Sequence, residues 1–197
     1  VYSHNAVDWI KNVLLKKIEN QQALMLLFNN NDNPNVSTEK NIARLEDYRN
    51  KIRALDGDIV NDIAPMLRGW EGQASRIYFS TINSFLPEQF RFENRTQHPA
   101  LDVANAFLNY GYQILLSTFN KEIVANGYLT QIGLFHKNMF NYYNLSSDLM
   151  EPFRVIIDEL AYKENPQKFE KDEKRKLQNI LNFKYRINFK NICEMKF

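Results

Sequence analysis

A chain of 197 residues with 44% hydrophobic and 24% charged side chains can bury a sizeable core, and this composition excludes a disordered protein. The formal net charge of +2 does not by itself indicate a nucleic-acid partner, although ten Lys or Arg against five Asp or Glu between residues 163 and 197 gather positive charge near one end. The single cysteine, Cys193, excludes an intrachain disulfide and favours a reducing, cytoplasmic compartment, and no apolar run of about 20 residues predicts a membrane span.

Helical periodicity dominates the first half of the chain. Apolar residues recur at helical spacing between residues 6 and 28, which predicts an amphipathic helix. The composition of residues 29–35 is typical of a loop, and a second amphipathic helix is predicted over 37–55. A further helix is predicted from about residue 73 to 85, followed by a loop over 87–99.

The second half of the chain continues the helical pattern. A long helix is predicted over 100–124, ended by Asn126-Gly127, which are common residues at helix C-termini. Residues 170–189 are predicted to form a last helix and the start of a basic and aromatic tail, which spans about 183–197. Glycine and proline are few, and no run of alternating residues indicates a strand, so the sequence predicts an all-α fold in one domain spanning residues 1–197.

The stretch GLFHKNMFNYYNLSSDLMEPFR, residues 133–154, concentrates ionisable side chains before a predicted helix that runs through residue 161. Pro152 must lie near the first turn of that helix or kink it. Asp148 and Glu151, spaced i and i+3, share a helix face, where two carboxylates repel unless a cation such as a divalent metal lies between them. The alternative interpretation is that Asp148 only favours a helix N-terminus after two serines.

Two other residues are candidate ligands with ordinary alternatives. His136 is either a metal ligand or a satisfied, partly buried histidine beside Phe135 and Met139. Glu71 is either a ligand or an acidic residue that opens a helix and complements its dipole. Oxygen ligands with one imidazole would suit Mg²⁺ or Mn²⁺, whereas a structural zinc site would require several cysteines or histidines.

Basic residues lie close in sequence to these candidates. Arginine and lysine near a carboxylate–metal centre suit a phosphodiester substrate, but they equally suit ordinary salt bridges. No glycine-rich nucleotide-binding motif and no serine-hydrolase motif occurs. The basic residues concerned are Arg76, Arg91, Arg95, Lys137 and Arg154.

Three motifs in order, EGQASRIYF, RTQHPALDVANAFLNYGYQILL and GLFHKNMFNYYNLSSDLMEPFR, resemble the CRISPR-associated integrases, the Cas-one family of spacer acquisition. The resemblance covers most of residues 10–158, and IKNVLLKKIENQQALMLL is similar to the first helix of that family's C-terminal catalytic domain. The wording NLSSDLMEPFR is most similar to the type II branch.

The resemblance implies a helical catalytic lobe that binds one Mg²⁺ or Mn²⁺ ion. By the resemblance, Glu71, His136 and Glu151 match the metal ligands and Asp148 matches the neighbouring acidic position. The implied reaction joins the 3′-OH of spacer DNA to a CRISPR-repeat phosphate by transesterification, and the same site cleaves DNA when water attacks. Double-stranded DNA and the small Cas-two subunit are the implied partners. The residues expected to hold the DNA backbone are Arg76, Arg95, Lys137 and Arg154.

The chain departs from the family pattern because nothing in it corresponds to the β-rich N-terminal domain, which usually forms the homodimer. Two alternatives therefore stay open: a non-catalytic module that binds nucleic acid or assists assembly, and an unrelated helical regulator. Substitution of Glu71, His136 or Glu151 by alanine distinguishes them, because only an enzyme would lose DNA nicking or strand transfer.

Overall fold

The computed structural model describes residues 4–31, 36–97 and 99–184. Over these residues the chain forms seven α-helices and two short 3₁₀ turns, and no strand. The helices are α1 (His4–Asn31), α2 (Val36–Ala54), α3 (Val60–Phe85), α4 (Val103–Ala125), α5 (Asn144–Met150), α6 (Val155–Glu164) and α7 (Lys171–Lys184). The 3₁₀ turns span Glu88–Phe90 and Glu151–Phe153. The predicted all-α fold is confirmed, while the predicted tail beyond residue 184 lies outside the described residues.

Helices α1, α2 and α3 pack around the first of two hydrophobic clusters. The apolar stripe predicted on α1 is buried, with Ile10, Leu14 and Ile18 each about 1% exposed. Leu45 and Ile52 of α2 are fully buried against it. Burial of these faces, rather than intrinsic helix propensity, stabilises the three-helix unit.

The second cluster joins α4, α6 and α7 to the segment that follows α3. Asp102 caps α4 by accepting a hydrogen bond from the backbone N–H of Asn105. Helix α4 approaches α6 closely at Gly111, where a Cβ atom would lie 2.4 Å from Cγ2 of Ile157. Phe79 and Tyr162 contact both hydrophobic clusters, so the two units share packing.

Helix α3 begins earlier than predicted. The sequence predicts a helix from about residue 73, and Pro65, Gly69 and Gly72, which precede that residue, each disfavour a helix interior. The observed helix begins at Val60 and continues through all three residues, since its apolar face is buried against α1 and α2. Glu71 therefore lies inside α3, and the interpretation that Glu71 opens a helix is wrong.

Two other predicted positions agree with the structure, while α6 ends at Glu164 instead of the predicted residue 161. Helix α4 ends at Ala125, before Asn126 and a left-handed Gly127 with a φ of 80°, as predicted. Pro152 lies in the 3₁₀ turn between α5 and α6, which confirms that this proline interrupts the helical path. Among the residues described, no helix is both long enough and apolar enough to cross a membrane.

Candidate acidic centre and basic groove

Two glutamates distant in sequence point at one buried lysine. Oε1 of Glu71, on α3, lies 2.5 Å from Nζ of Lys17 on α1, and Oε2 of Glu151 lies 2.6 Å from the same nitrogen. The Ser75 hydroxyl, one turn after Glu71, also donates to Glu71 Oε1, at 2.9 Å. We call Lys17, Glu71 and Glu151 the acidic centre.

The turn that carries Glu151 is tied to α1 and to Arg154, the residue directly before α6. The Asn20 side chain donates to the backbone oxygen of Pro152 at 2.7 Å, and Arg154 Nη1 donates to Oε1 of Glu151 at 3.0 Å. Burial by itself would raise the pKa of Glu151, but the positive charges of Lys17 and Arg154 outweigh it and lower that pKa to about 2. Glu151 is therefore ionised although it is only 5% exposed.

Arg154 is itself held by Tyr112 of α4, whose hydroxyl is bound by a buried acid. Its guanidinium lies 4.1 Å from the centre of the Tyr112 ring, a cation–π contact. The hydroxyls of Tyr112 and Tyr78 both donate to Asp158, which is 3% exposed. Burial raises the pKa of Asp158, although these two hydrogen bonds act in the opposite direction. This network fixes the position of Arg154 beside Glu151.

Asp148 organises the turn that presents His136. Its Oδ2 accepts from the backbone N–H groups of Leu134 and Phe135, at 2.6 and 3.0 Å, and its Oδ1 accepts from the N–H of His136 at 2.9 Å. Nδ1 of the His136 ring lies 2.6 Å from the same Oδ1. Because α5 begins at Asn144, Asp148 is not at a helix N-terminus, and that alternative interpretation is wrong.

This arrangement sets the state of His136. A carboxylate only accepts hydrogen bonds, so Asp148 holds the proton on Nδ1 and leaves Nε2 as the nitrogen with a lone pair in the neutral ring. Burial would lower the pKa of His136, but the hydrogen bond to Asp148 and the charges of Glu151 and Asp148 raise it above its usual range. The turn also requires Gly133, where a Cβ atom would lie 2.2 Å from the His136 backbone oxygen.

The chemistry of the acidic centre suits a hard divalent cation, but a lysine already bridges its carboxylates. Oε2 of Glu151 is buried, and the ammonium group of Lys17, 2.6 Å away, compensates its charge. Carboxylate oxygens with one imidazole are ligands of Mg²⁺ or Mn²⁺. In the part of the chain that the structure describes, no three His, Cys, Asp or Glu side chains are arranged so that they could hold a metal ion. Glu71 and Glu151 converge, whereas His136 is held by Asp148.

A groove of about 520 Å³ runs beside the acidic centre. Two of the predicted DNA-binding residues, Arg95 and Arg154, line it together with His136. Arg95 is oriented by Asn105 and Asn109 of α4, whose side-chain oxygens accept from it at 2.8 and 2.7 Å. The groove therefore combines two guanidinium groups with a histidine beside a buried acid.

The other two predicted DNA-binding residues lie outside this groove. Arg76 is exposed on α3 and lines a second groove of about 580 Å³, to which Arg95 also contributes. Lys137 is exposed and donates to Oδ1 of Asn61 on α3 at 2.6 Å. The four basic residues thus do not converge on one contact point.

An aromatic rim is formed by residues 139–143, directly after His136. Met139 and Phe140 are 86% and 83% exposed, and Tyr142 and Tyr143 are also exposed. Asn141 and Tyr143 of the rim line the groove that contains Arg95, Arg154 and His136. Large exposed apolar side chains grouped in this way are typical of a binding surface.

Sequence reasoning missed Lys17, the residue that joins the two glutamates. A signal for it exists, because Lys17 follows Leu14 by three residues and precedes Ile18, so it falls within the buried apolar stripe of α1. A lysine in such a stripe must find buried partners of opposite charge. Tyr112 and Asp158, which support Arg154, carry no comparable signal.

The fold and the site define an all-helical protein with a lysine-bridged pair of glutamates beside an arginine-lined groove. Comparison with known families matches residues 2–189 to the family described as "CRISPR associated protein Cas1". The chain belongs to this family, so the resemblance seen in the sequence motifs is confirmed.

Individual relatives agree with this assignment. The chain is similar to a protein of Archaeoglobus fulgidus named CRISPR-associated endonuclease Cas1 1, with 29% identity over 186 residues, which are 85% of this chain and 53% of that protein. A Mycobacterium tuberculosis protein named CRISPR-associated endonuclease Cas1 is 28% identical over 76% of this chain and 41% of its own length. The chain thus spans about half or less of the length of these relatives.

Solved structures share the fold. A chain of a structure described as "Cas6-RT-Cas1--Cas2 complex" superposes with a TM-score of 0.79 at 23% identity, covering 93% of this chain and 22% of that chain. A structure described as "Casposase bound to integration product" gives a TM-score of 0.72 at 20% identity, covering 90% of this chain and 52% of that one. At these identities the likeness concerns the fold alone.

Proposed function

We propose that residues 1–197 act as the helical catalytic domain of a DNA integrase and endonuclease of CRISPR adaptation, in the type II branch that the motif NLSSDLMEPFR resembles. The observation that carries the proposal is the acidic centre, in which Glu71 and Glu151 are brought to one point beside a groove lined by His136, Arg95 and Arg154. Holding a buried and a partly buried carboxylate from distant segments together is costly for a fold, and such pairs are common at functional sites.

The relatives support the reaction and the partners. Similar proteins are named endonucleases, one neighbour in fold is a casposase bound to an integration product, and another is part of a complex with Cas2. We therefore propose double-stranded DNA and a Cas2-type subunit as partners, and a homodimer in the full-length protein. We propose the cytoplasm as the site of this reaction, because that compartment holds the cellular DNA in bacteria and archaea.

A divalent cation is the cofactor that this site would take. Glu71 and Glu151 would bind Mg²⁺ or Mn²⁺ through their carboxylate oxygens, and His136 would contribute Nε2. When bound, such a cation polarises a phosphodiester and stabilises the charge that develops on its oxygens. Asp148 orients His136 for this role, as carboxylates behind metal-binding histidines commonly do.

The reaction itself is a transesterification. The 3′-OH of spacer DNA attacks a phosphorus atom of the repeat, a new phosphodiester bond forms, and the repeat strand leaves as a free 3′-OH. When water replaces the 3′-OH as the nucleophile, the same exchange nicks the strand. No covalent bond to the protein forms in either case.

The basic residues would hold the DNA backbone. Arg95 and Arg154 line the groove beside the acidic centre and present planar guanidinium groups that suit phosphate oxygens. Arg76 and Lys137 are exposed on the surface around it and would contact more distant phosphates. The aromatic rim offers exposed rings on which unpaired bases can stack.

One observation favours a second candidate function, that of a non-catalytic DNA-binding or assembly module. Lys17 already neutralises the two glutamates, and His136 does not reach them as a third ligand within the described residues. In that case the acidic centre would be a structural ion pair between α1, α3 and the turn at Glu151.

Nicking and strand transfer distinguish the two functions. The full-length protein that carries this chain would be assayed with its Cas2-type subunit, Mn²⁺ and a plasmid bearing a CRISPR repeat. Glu151→Gln should reduce product formation by at least about a hundredfold, because it removes a charged ligand. DNA affinity measured by fluorescence anisotropy should change by less than about threefold.

Glu39→Gln, an exposed substitution on α2, is the matched control and should behave as wild type. Unchanged nicking and strand transfer by Glu151→Gln would exclude the catalytic function and favour the non-catalytic module.

A further inference from the structure

Lys17 is a charged side chain buried almost completely in the protein. It is 6% exposed, whereas the side chain of its neighbour Lys16 is 43% exposed and pairs with Glu19 on the surface of α1. Removing an ammonium group from water is unfavourable unless partners of opposite charge compensate it. The burial of Lys17 therefore requires the two glutamates.

The converse also holds, since the two glutamates require a cation. Glu151 is buried, Glu71 is largely buried, and their oxygens face the same nitrogen. Two carboxylates turned towards one point repel each other, and the repulsion is strong in a low-dielectric interior. Arg154 offsets only part of the charge, because it binds the other oxygen of Glu151.

Lys17 thus holds the position from which a cation would contact both facing carboxylate oxygens, Oε1 of Glu71 and Oε2 of Glu151. Nζ lies 2.5 Å from one carboxylate and 2.6 Å from the other. Two cations cannot both occupy that space, and like charges there would repel. A divalent ion can therefore reach both oxygens only when the ammonium group moves away.

We propose that Lys17 is a positioning residue that acts as an internal counter-ion: it holds Glu71 and Glu151 together before a divalent cation binds and is displaced from between them when the cation arrives. This inference rests on the proposed function, because it takes the acidic centre to be a divalent-metal site. It assigns a role to a residue of α1 that neither the predicted ligands nor the groove includes.

The proposal has two measurable consequences. Without Lys17, a divalent cation no longer competes with an ammonium group, so its affinity rises. Without Lys17 and without metal, the two carboxylates lack compensation, so the protein is less stable, and a divalent cation restores that stability.

The experiment compares wild type, Lys17→Met and the matched control Lys16→Met. Mn²⁺ binding is measured by calorimetry, and the unfolding temperature is measured by circular dichroism with EDTA and with saturating Mn²⁺. Lys17→Met should bind Mn²⁺ at least tenfold more tightly than wild type, and Mn²⁺ should raise its unfolding temperature by more than it raises that of wild type. Lys16→Met should match wild type in both measurements.

Two results separate failure of this inference from failure of the proposed function. If wild type binds Mn²⁺ and Lys17→Met binds it equally or more weakly, Lys17 is not a competing counter-ion and the inference alone is overturned. The same conclusion follows if the unfolding temperature of Lys17→Met lies below that of wild type by the same amount with EDTA and with Mn²⁺. That result would indicate that Lys17 only forms a structural ion pair. If neither protein binds Mn²⁺, the inference and the metal site both fail.

Lys17→Gln is a second variant for the case in which Lys17→Met does not fold. Its amide is neutral, which removes the competing charge, and polar, which keeps a hydrogen-bond donor at this position, so it carries the same prediction as Lys17→Met. Folding of either variant upon addition of Mn²⁺ would support the proposal. Failure of both variants to fold even with Mn²⁺ would overturn it.

Discussion

Asp148→Asn is the substitution whose effect follows most directly from the geometry of the site. Asp148 is 1% exposed, and its two oxygens together accept from three backbone N–H groups and from Nδ1 of His136. Asparagine has the same shape but only one accepting oxygen, because an NH₂ group replaces the other. In either orientation of the amide, its NH₂ group therefore faces N–H groups that need an acceptor.

The two orientations differ in cost. If the NH₂ group replaces Oδ2, it faces the N–H groups of Leu134 and Phe135, and two donors lose their acceptor. If it replaces Oδ1, only the N–H of His136 is left unpaired, because Nδ1 can change from donor to acceptor. The second orientation is favoured, and one unpaired donor lowers the free energy of unfolding by about 1–3 kcal/mol.

That orientation also changes the histidine. When Nδ1 accepts, the ring proton moves to Nε2, so Nε2 no longer has the lone pair that the proposed metal site uses. Loss of a carboxylate that orients a metal-binding histidine typically lowers metal affinity by about 10- to 100-fold. Asp148→Asn should therefore weaken Mn²⁺ binding by that factor in addition to destabilising the fold.

Urea unfolding followed by circular dichroism measures the first effect, and Mn²⁺ calorimetry measures the second. Asp47→Asn, an exposed substitution on α2, is the control and should change the unfolding free energy by less than about 0.5 kcal/mol. An Asp148→Asn protein with wild-type unfolding free energy would refute the reasoning about the buried donors. Normal stability loss with wild-type Mn²⁺ affinity would instead refute the role assigned to Nε2.

Two further predictions concern the turn and the aromatic rim. Gly133→Ala should lower the unfolding free energy by about 1–3 kcal/mol in a urea titration, because the new Cβ would meet backbone atoms. Gly69→Ala, in an open position inside α3, should instead raise the unfolding free energy by about 0.5–1 kcal/mol. An unchanged unfolding free energy in Gly133→Ala would show that the turn can relax around the new methyl group. Replacing Phe140 and Tyr142 together by alanine should weaken binding of single-stranded DNA at least about tenfold in fluorescence anisotropy without changing the unfolding temperature, since exposed rings contribute base stacking rather than packing. Val36→Ala on α2 is the control, because it also shortens an exposed apolar side chain. Unaltered DNA affinity in the double variant would show that the aromatic rim does not bind DNA.

The sequence by itself determined the helical class, most helix positions and the family. Apolar spacing identified α1, α2 and α4 because a buried helix face repeats every three to four residues, and this pattern does not depend on which partner covers it. The end of α4 was predictable because Gly127 adopts a left-handed conformation that glycine favours. The motifs around Glu71, His136 and Glu151 identified the family, since their order and wording are local properties of the chain.

Only the tertiary structure decided how the site is built. The unbroken course of α3 through Pro65 and two glycines depends on burial against α1 and α2, which outweighs the local preference to break the helix. Lys17 is separated from Glu71 by 54 residues and from Glu151 by more, so no spacing rule could join them. The position of a charge inside a protein is set by which opposite charges the packing brings to it, and that pairing exists only after the helices have assembled.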